Sequence, residues 1–307
     1  MALMLFLCVS VILATTIGSS GLSLLDLDPA TIWMLLFDYR LPRVLAAVLV
    51  GAGLAAAGAA MQGLFRNSMA DPYIIGTSSG GALGAAASIV FLAGAGIPVF
   101  AFVGATASTI VVYLISRRDG RVGVETLLLS GIAVSLFLAS LLSLLMYIAG
   151  QSLHQIVFWL MGGFWNISWD DVGIASVILI GCFGLFLCGR DLNVISLGDE
   201  DAVHLGVDVE RLKVALLLIS SFITGIAVSV AGAIGFIGLI TPHVMRLIVG
   251  PDHRVLIPAS MMAGAILLLW ADTFARTLFP SEIPVGIVTS FFGAPFFIYL
   301  LRSRTRT

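Results

Sequence analysis

PRVLAAVLVGAGLAAAGAAMQG, residues Pro42–Gly63, holds a single ionisable side chain, Arg43, and apart from Gln62 is otherwise apolar or small. At 1.5 Å rise per residue, a helix of this length crosses about 30 Å of hydrocarbon. Similar runs lie at Met1–Gly18, Ser78–Gly94, Pro98–Ser116, Val122–Ala149, Val172–Gly189, Val214–Ala233, Pro242–Val249, Val255–Leu278 and Pro284–Leu301. The 307 residues are 60% hydrophobic and 10% charged, against about 25% charged in a soluble domain. Only lipid tolerates such a chain, and in lipid a backbone must satisfy itself as helix. The fold class is all-α: a polytopic membrane protein of about ten transmembrane helices, one domain over 1–307. Pro242–Val249 is too short to span alone and reads as a partial helix buried in protein.

Orientation follows from Lys and Arg. With the N-terminus inside, twelve of the fifteen basic residues share one side: Arg66, Arg117, Arg118, Arg121, Arg190, Arg211, Lys213, Arg246, Arg254, Arg302, Arg304 and Arg306. Arg40, Arg43 and Arg276 are left outside. Both termini are then cytoplasmic, in a plasma (inner) membrane, with the last arginines anchoring the inner leaflet. Met1–Gly18 has no basic residue before its apolar stretch and no small-x-small cleavage site, so it reads as an uncleaved helix. Cys8, Cys182 and Cys188 sit within apolar runs without disulfide or metal spacing.

Small residues recur along the runs: Gly51, Gly53, Gly58 and Gly63; Gly80, Gly81 and Gly84; Gly232, Gly235 and Gly238. In lipid, helices associate through close backbone approach, which such residues permit. Gly58–Leu64 loosely echoes Gly232–Leu239, five runs apart; an odd offset would make the halves inverted repeats.

The longest polar stretch, residues 190–213, carries Asp199, Glu200, Asp201, His204, Asp208, Glu210, Arg211 and Lys213. Leu197 and Gly198 followed by three acids read as a helix start, with carboxylates at its positive end and Gly206 as its stop. A short amphipathic helix here either covers the bundle or is a handle for a soluble partner.

Several motifs in order resemble one family. Arg40-Leu-Pro-Arg43, Gly58-Ala-Ala-Met-Gln-Gly-Leu-Phe-Arg-Asn67, Ala70-Asp-Pro72 and Gly76-Thr-Ser-Ser-Gly80 are similar to the signature region of FecCD-type ABC permeases. These are the membrane subunits of importers for ferric siderophores, haem, vitamin B12 and related chelates. Trp159–Gly163, Leu197–Glu200 with Leu205–Arg211, Gly235–His243, Pro284–Thr289 and Gly293–Phe296 continue the match, which covers residues 40–302. The first helix is short compared with many members.

The resemblance implies a vitamin B12 permease-like (type II ABC importer) fold and a homodimer around a central path. It also implies two ATP-binding cassette subunits below and an extracytoplasmic substrate-binding protein above. It assigns Leu197, Gly198, Asp199, Glu200, Leu205, Gly206, Val207 and Arg211 to coupling with the ATPase. It assigns Arg40, Arg43 and Arg276 to docking of the binding protein, where planar guanidinium forks suit carboxylates. It places the cytoplasmic gate near Gly123, Val124, Glu125 and Thr126, although Glu125 departs from the small polar residues of the family and lies four after Arg121, at ion-pair spacing. Arg276 similarly lies four after Asp272. The lone lysine, Lys213, sits between Leu212 and Val214, so no P-loop is present; ATP and Mg belong to the partner, and this chain is expected to bind no cofactor and no nucleic acid.

Three features could mislead. Gly76–Gly80 fits a nucleophile-elbow pattern, but no strand precedes it, so an intramembrane hydrolase is disfavoured. His154, His204, His243 and His253 lack ligand spacing, and Asp170-Asp171 reads as a helix-opening pair. The alternative class is an ion-coupled secondary transporter; such carriers need ionisable groups near mid-membrane, and here the charges gather at run ends.

Overall fold

The helices follow the apolar runs. The computed structural model describes residues 2–18, 28–118, 121–278 and 281–304. Along the chain run α1 (Ala2–Thr16), α2 (Pro29–Met34), α3 (Leu41–Leu64), α4 (Thr77–Leu92), α5 (Ile97–Ser116), α6 (Val124–Ile148), α7 (Leu153–Leu160) and α8 (Trp169–Ser176). They continue with α9 (Ile178–Leu187), α10 (Gly189–Ile195), α11 (Asp199–His204), α12 (Val209–Ala231), α13 (Ile237–Val249), α14 (His253–Thr277) and α15 (Val285–Arg304). Among the described residues, the extended pairing is a two-residue ladder, Arg117–Arg118 (β1) against Arg121–Val122 (β2). Among the described residues, six stretches are long and apolar enough to cross a membrane: Pro29–Leu64, Ile97–Ser116, Val124–Ile148, Trp169–Leu187, Val209–Ala231 and His253–Thr277. Ala2–Thr16, Thr77–Leu92, Ile237–Val249 and Val285–Tyr299 are apolar but shorter.

Prolines explain two departures from the apolar runs. The helix containing Pro42 extends back to Pro29, because a π-helical turn at Leu35–Arg40 splices α2 onto α3. Pro42 has no N–H to donate, and just before it the Leu41 N–H reaches Leu36 O in the wider pattern. At the other site α13 begins at Ile237, so Pro242 lies inside it. Its missing N–H frees the Gly238 carbonyl four residues back. A Cβ on Gly58 would collide with that carbonyl oxygen, so α3 lies backbone to backbone on α13 there.

Helix α3 is the spine, with Val44, Ala46, Ala47, Val50, Leu54, Ala55, Ala56, Ala59 and Met61 all buried. Helices α14, α12, α13 and α9 pack around it, and α4 packs on α5. Nearly every glycine singled out for packing makes such a contact. Gly51 and Gly264 each abut the other's backbone, as do Gly80 and Gly104, and Gly84 meets Phe100 O. A methyl added at these contacts would cost about 1–3 kcal/mol through overpacking. Gly235 is the exception, with open space where its Cβ would be.

The echo between Gly58–Leu64 and Gly232–Leu239 pairs unlike structures. The first closes α3; the second straddles the break between α12 and α13. The repetition lies elsewhere: a long helix, an irregular stretch and a short helix recur as α3–α4 and α12–α13. Both short helices start from a left-handed residue, Gly76 at φ 84° and Phe236 at φ 69°. Helix α6 sits at the periphery and turns Leu129, Ile132, Leu136, Phe137, Leu144 and Tyr147 outward.

Candidate functional site

The polar stretch forms a compact knob at the Arg66 end of α3. Gly198 at φ 141° starts α11, and a Schellman turn closes it: Gly206 N–H bonds Val203 O at 3.0 Å and Val207 N–H bonds Ala202 O at 3.0 Å. Gly206 supplies the left-handed φ of 85° that this turn needs. Asp208 then caps α12, accepting from the Arg211 N–H at 3.2 Å. The stretch from Leu197 to Arg211 is therefore not one helix. Arg211 already belongs to α12, and its guanidinium pairs locally with Asp208 at 2.8 Å. Ala202 points inward with no exposure, while Leu197, Val203 and Leu205 are 66%, 60% and 63% exposed. Three large apolar side chains on a knob ringed by carboxylates form a surface that water covers poorly.

Beneath the knob lies a charge network of four side chains. Asp199 pairs through Oδ1 with Arg66, at the end of α3, and through Oδ2 with Lys213 Nζ at 2.7 Å. Lys213 also pairs with Glu210 at 3.2 Å and donates to Val122 O at 3.3 Å, and Glu210 accepts from the Val122 N–H at 2.8 Å. Lys213 is buried to 4% exposure, tolerable for an ammonium only with such partners. Sequence reading gave Lys213 no role of its own, counting it among the basic residues of the polar stretch and using it to dismiss a P-loop. The available signal was a lone lysine three residues after Glu210, beside an acid-rich loop. Nearby, Asn193 Nδ2 donates to Asp252 at 2.6 Å and holds its carboxyl below the usual range, tying α10 to the start of α14.

The expected gate residues follow directly. Gly123 is the N-cap of α6, and Val124, Glu125 and Thr126 form its first turn. Glu125 and Gly123 are exposed, and Val124 and Thr126 are half-buried. The Arg121–Glu125 pair suggested by spacing lies outside the described side chains, as do Arg304 and Arg306.

At the opposite end, Arg40, Arg43 and Arg276 come together with all three guanidinium groups turned into the chain. Arg43 donates from Nε and Nη2 to Asp272 at 3.1 and 2.8 Å, and from Nη1 to Glu282 at 2.7 Å. Arg276 faces Asp272 along α14 at 3.6 Å, as the spacing suggested, and donates to Ala14 O. Arg40, 6% exposed, donates to Thr16 O at 2.8 Å, so two arginines cap the last carbonyls of α1. A partner meeting this face would touch the helix ends these arginines hold, not open forks.

The misleading features resolve into helix chemistry. Gly76–Gly80 opens α4, with Ser108 Oγ donating to Gly76 O at 2.9 Å. Ser168 is the N-cap of α8, and Asp171 reaches back to its N–H at 2.9 Å in a capping box, leaving Asp170 an uninvolved neighbour. Among the described residues, no three His, Cys, Asp or Glu side chains are grouped as a metal site.

Comparison with known proteins agrees along the whole chain. Residues 2–303 match the FecCD transport family. The chain is 47% identical to the cobalamin import system permease protein BtuC of Halobacterium salinarum, over 90% of this chain and 75% of that one. It is 42% identical to the hemin transport system permease protein HmuU of Yersinia pestis, over 97% and 95%. An ABC transporter assigned to the metal-chelate type, solved in an inward-facing conformation, superposes with a TM-score of 0.90 at 35% identity, covering 98% of both chains. The chain belongs to the FecCD transport family.

Proposed function

We propose that this chain is the permease subunit of an ATP-driven importer that passes a metal chelate (a ferric siderophore, haem or cobalamin) to the cytoplasm. Family membership and the names of its relatives support the class; those names differ in ligand. Two copies enclose the path, and two ATP-binding cassette subunits bind ATP and Mg below. The six long stretches and four shorter apolar helices supply ten passes of one domain over residues 1–307, with both termini cytoplasmic. The extracytoplasmic binding protein docks on the face whose shape Arg40, Arg43 and Arg276 fix by holding α1, α3 and α14 together. Gly123–Thr126, the first turn of α6, forms the cytoplasmic constriction.

One observation carries the coupling assignment: Leu197, Val203 and Leu205 project from a rigidly capped knob, within residues 190–213, into what would otherwise be water. Apolar side chains on a short braced helix suit a cleft in a moving partner, which can then shift the knob as a rigid body. Replacing Leu197, Val203 and Leu205 by Asn should release the ATPase subunit from the solubilised complex while the permease stays folded. Normal co-purification together with wild-type ATP hydrolysis would overturn the assignment.

A further inference from the structure

We propose that Lys213 is the positioning residue that passes displacement of α11 to the first turn of α6. The proposal rests on reading the knob as the seat of the ATPase.

The geometry has three parts. The first is an ammonium group with three acceptors on three separate segments: Asp199 on α11, Glu210 on its own helix, and the carbonyl of Val122. A tetrahedral –NH3+ can aim one N–H at each, which a planar guanidinium cannot reproduce. The second is the backbone of Val122, held at both of its polar groups. Glu210 accepts from its N–H and Lys213 donates to its C=O, so the segment before α6 is gripped on both sides by residues one turn apart on α12. Val122 is 3% exposed and directly precedes Gly123, the N-cap of α6. The third is the fulcrum. Asp199 gives one carboxylate oxygen to Lys213 and the other to Arg66, at the end of the most buried helix in the bundle. The two cations and two carboxylates balance, so the cluster holds without an uncompensated buried charge.

A push on α11 therefore acts at Asp199 and reaches Val122 through the Lys213 ammonium, directly at the Val122 C=O and by way of Glu210 at its N–H. Helix α6 can answer as a rod: one face packs on α4 and α5, and most of its length faces outward from the chain. Lys213 touches neither ligand nor nucleotide; its contribution is to keep the knob and the base of α6 in register.

The test uses the complete permease–ATPase complex with Cys8, Cys182 and Cys188 replaced by Ser and a spin label at Leu129→Cys, an exposed position on α6. The distance between the labels of the two copies is measured without nucleotide and after trapping with Mg-ATP and vanadate. Wild type should show a nucleotide-dependent shift. In Lys213→Met the ATPase should still co-purify, while the fraction of complexes reaching the shifted distance falls about tenfold, the size of a typical coupling free energy. Lys213→Arg keeps the charge and should recover part of the shift, which a packing defect alone would not predict. Glu210→Ala leaves the Lys213–Asp199 pair but frees the Val122 N–H; it serves if Lys213→Met does not fold, and it too should lose most of the shift. A wild-type shift in either Lys213→Met or Glu210→Ala overturns the relay and leaves the permease reading intact. A wild-type chain that neither binds the ATPase nor shifts overturns both.

Discussion

At the Arg43 end of the bundle, the Asp272 side chain is wholly enclosed and meets two arginines; at the Arg66 end, that of Asp199 is 42% exposed and meets one arginine and the lysine. Asp272 depends on protein donors, so its helices are locked in one arrangement. Asp199 can exchange Arg66, itself 41% exposed, for water at small cost, because half-exposed ion pairs contribute little net energy. Similar chemistry thus makes a staple at one end and a releasable joint at the other. An importer driven at its Arg66 end, as proposed above, would use that asymmetry: the Asp199–Arg66 contact can give way while the far end holds α1, α3 and α14.

The largest expected effect comes from breaking the staple. Arg43→Met leaves Asp272 facing only the distant Nε of Arg276, and the loss should be about 3–5 kcal/mol, as for other broken buried pairs. Thermal unfolding of the detergent-solubilised protein would show it, and adding Asp272→Asn should restore most of the stability. A single mutant as stable as wild type would mean the cluster is not a staple. Arg40→Gln comes next: it removes the charged donor from the last carbonyls of α1, at a cost of about 1.5–3 kcal/mol, and hydrogen exchange should quicken within α1 before the rest of the bundle. The smallest effect belongs to the Arg66 end. Arg66→Gln, which breaks the half-exposed pair and leaves Lys213 with both carboxylates, should cost about 1 kcal/mol at low salt, and the difference should close in about 0.5 M salt as exposed charges are screened. The Arg43→Met defect should persist in the same salt; if both respond alike, the contrast between the two ends is wrong.

These contrasts mark where the sequence was readable. Gly51, Gly58, Gly80 and Gly84 announced helix contacts because small residues in an apolar run have few other uses in lipid. Gly198 and Gly206 gave the ends of α11, since each supplies a backbone angle that other residues resist. The start of α13 was hidden, because Pro242 normally opens a helix and here sits inside one, its lost bond turned toward the contact with Gly58. Arg40, Arg43 and Arg276 were read as sharing one face and they do gather at one end of the bundle, but the direction of their side chains was not legible. Arg43 and Asp272 are 229 residues apart, and no local spacing shows that a fork turns inward. Lys213 was missed for the same reason: two of its partners, Val122 and Asp199, reach it through tertiary folding, and only Glu210 is a neighbour on its helix.

The tethering of α1 has a consequence for biosynthesis. Its last carbonyls are held by Arg40, made almost at once, and by Arg276, which lies 262 residues beyond Ala14; Trp270 adds a bond to Ser10 across 260 residues at 3.1 Å. At about 5–20 residues per second, a ribosome takes roughly ten to fifty seconds to deliver the later pair. Throughout that interval α1 waits in the bilayer with Arg40 as its clasp, and α14, on arriving, finds its neighbour already in place.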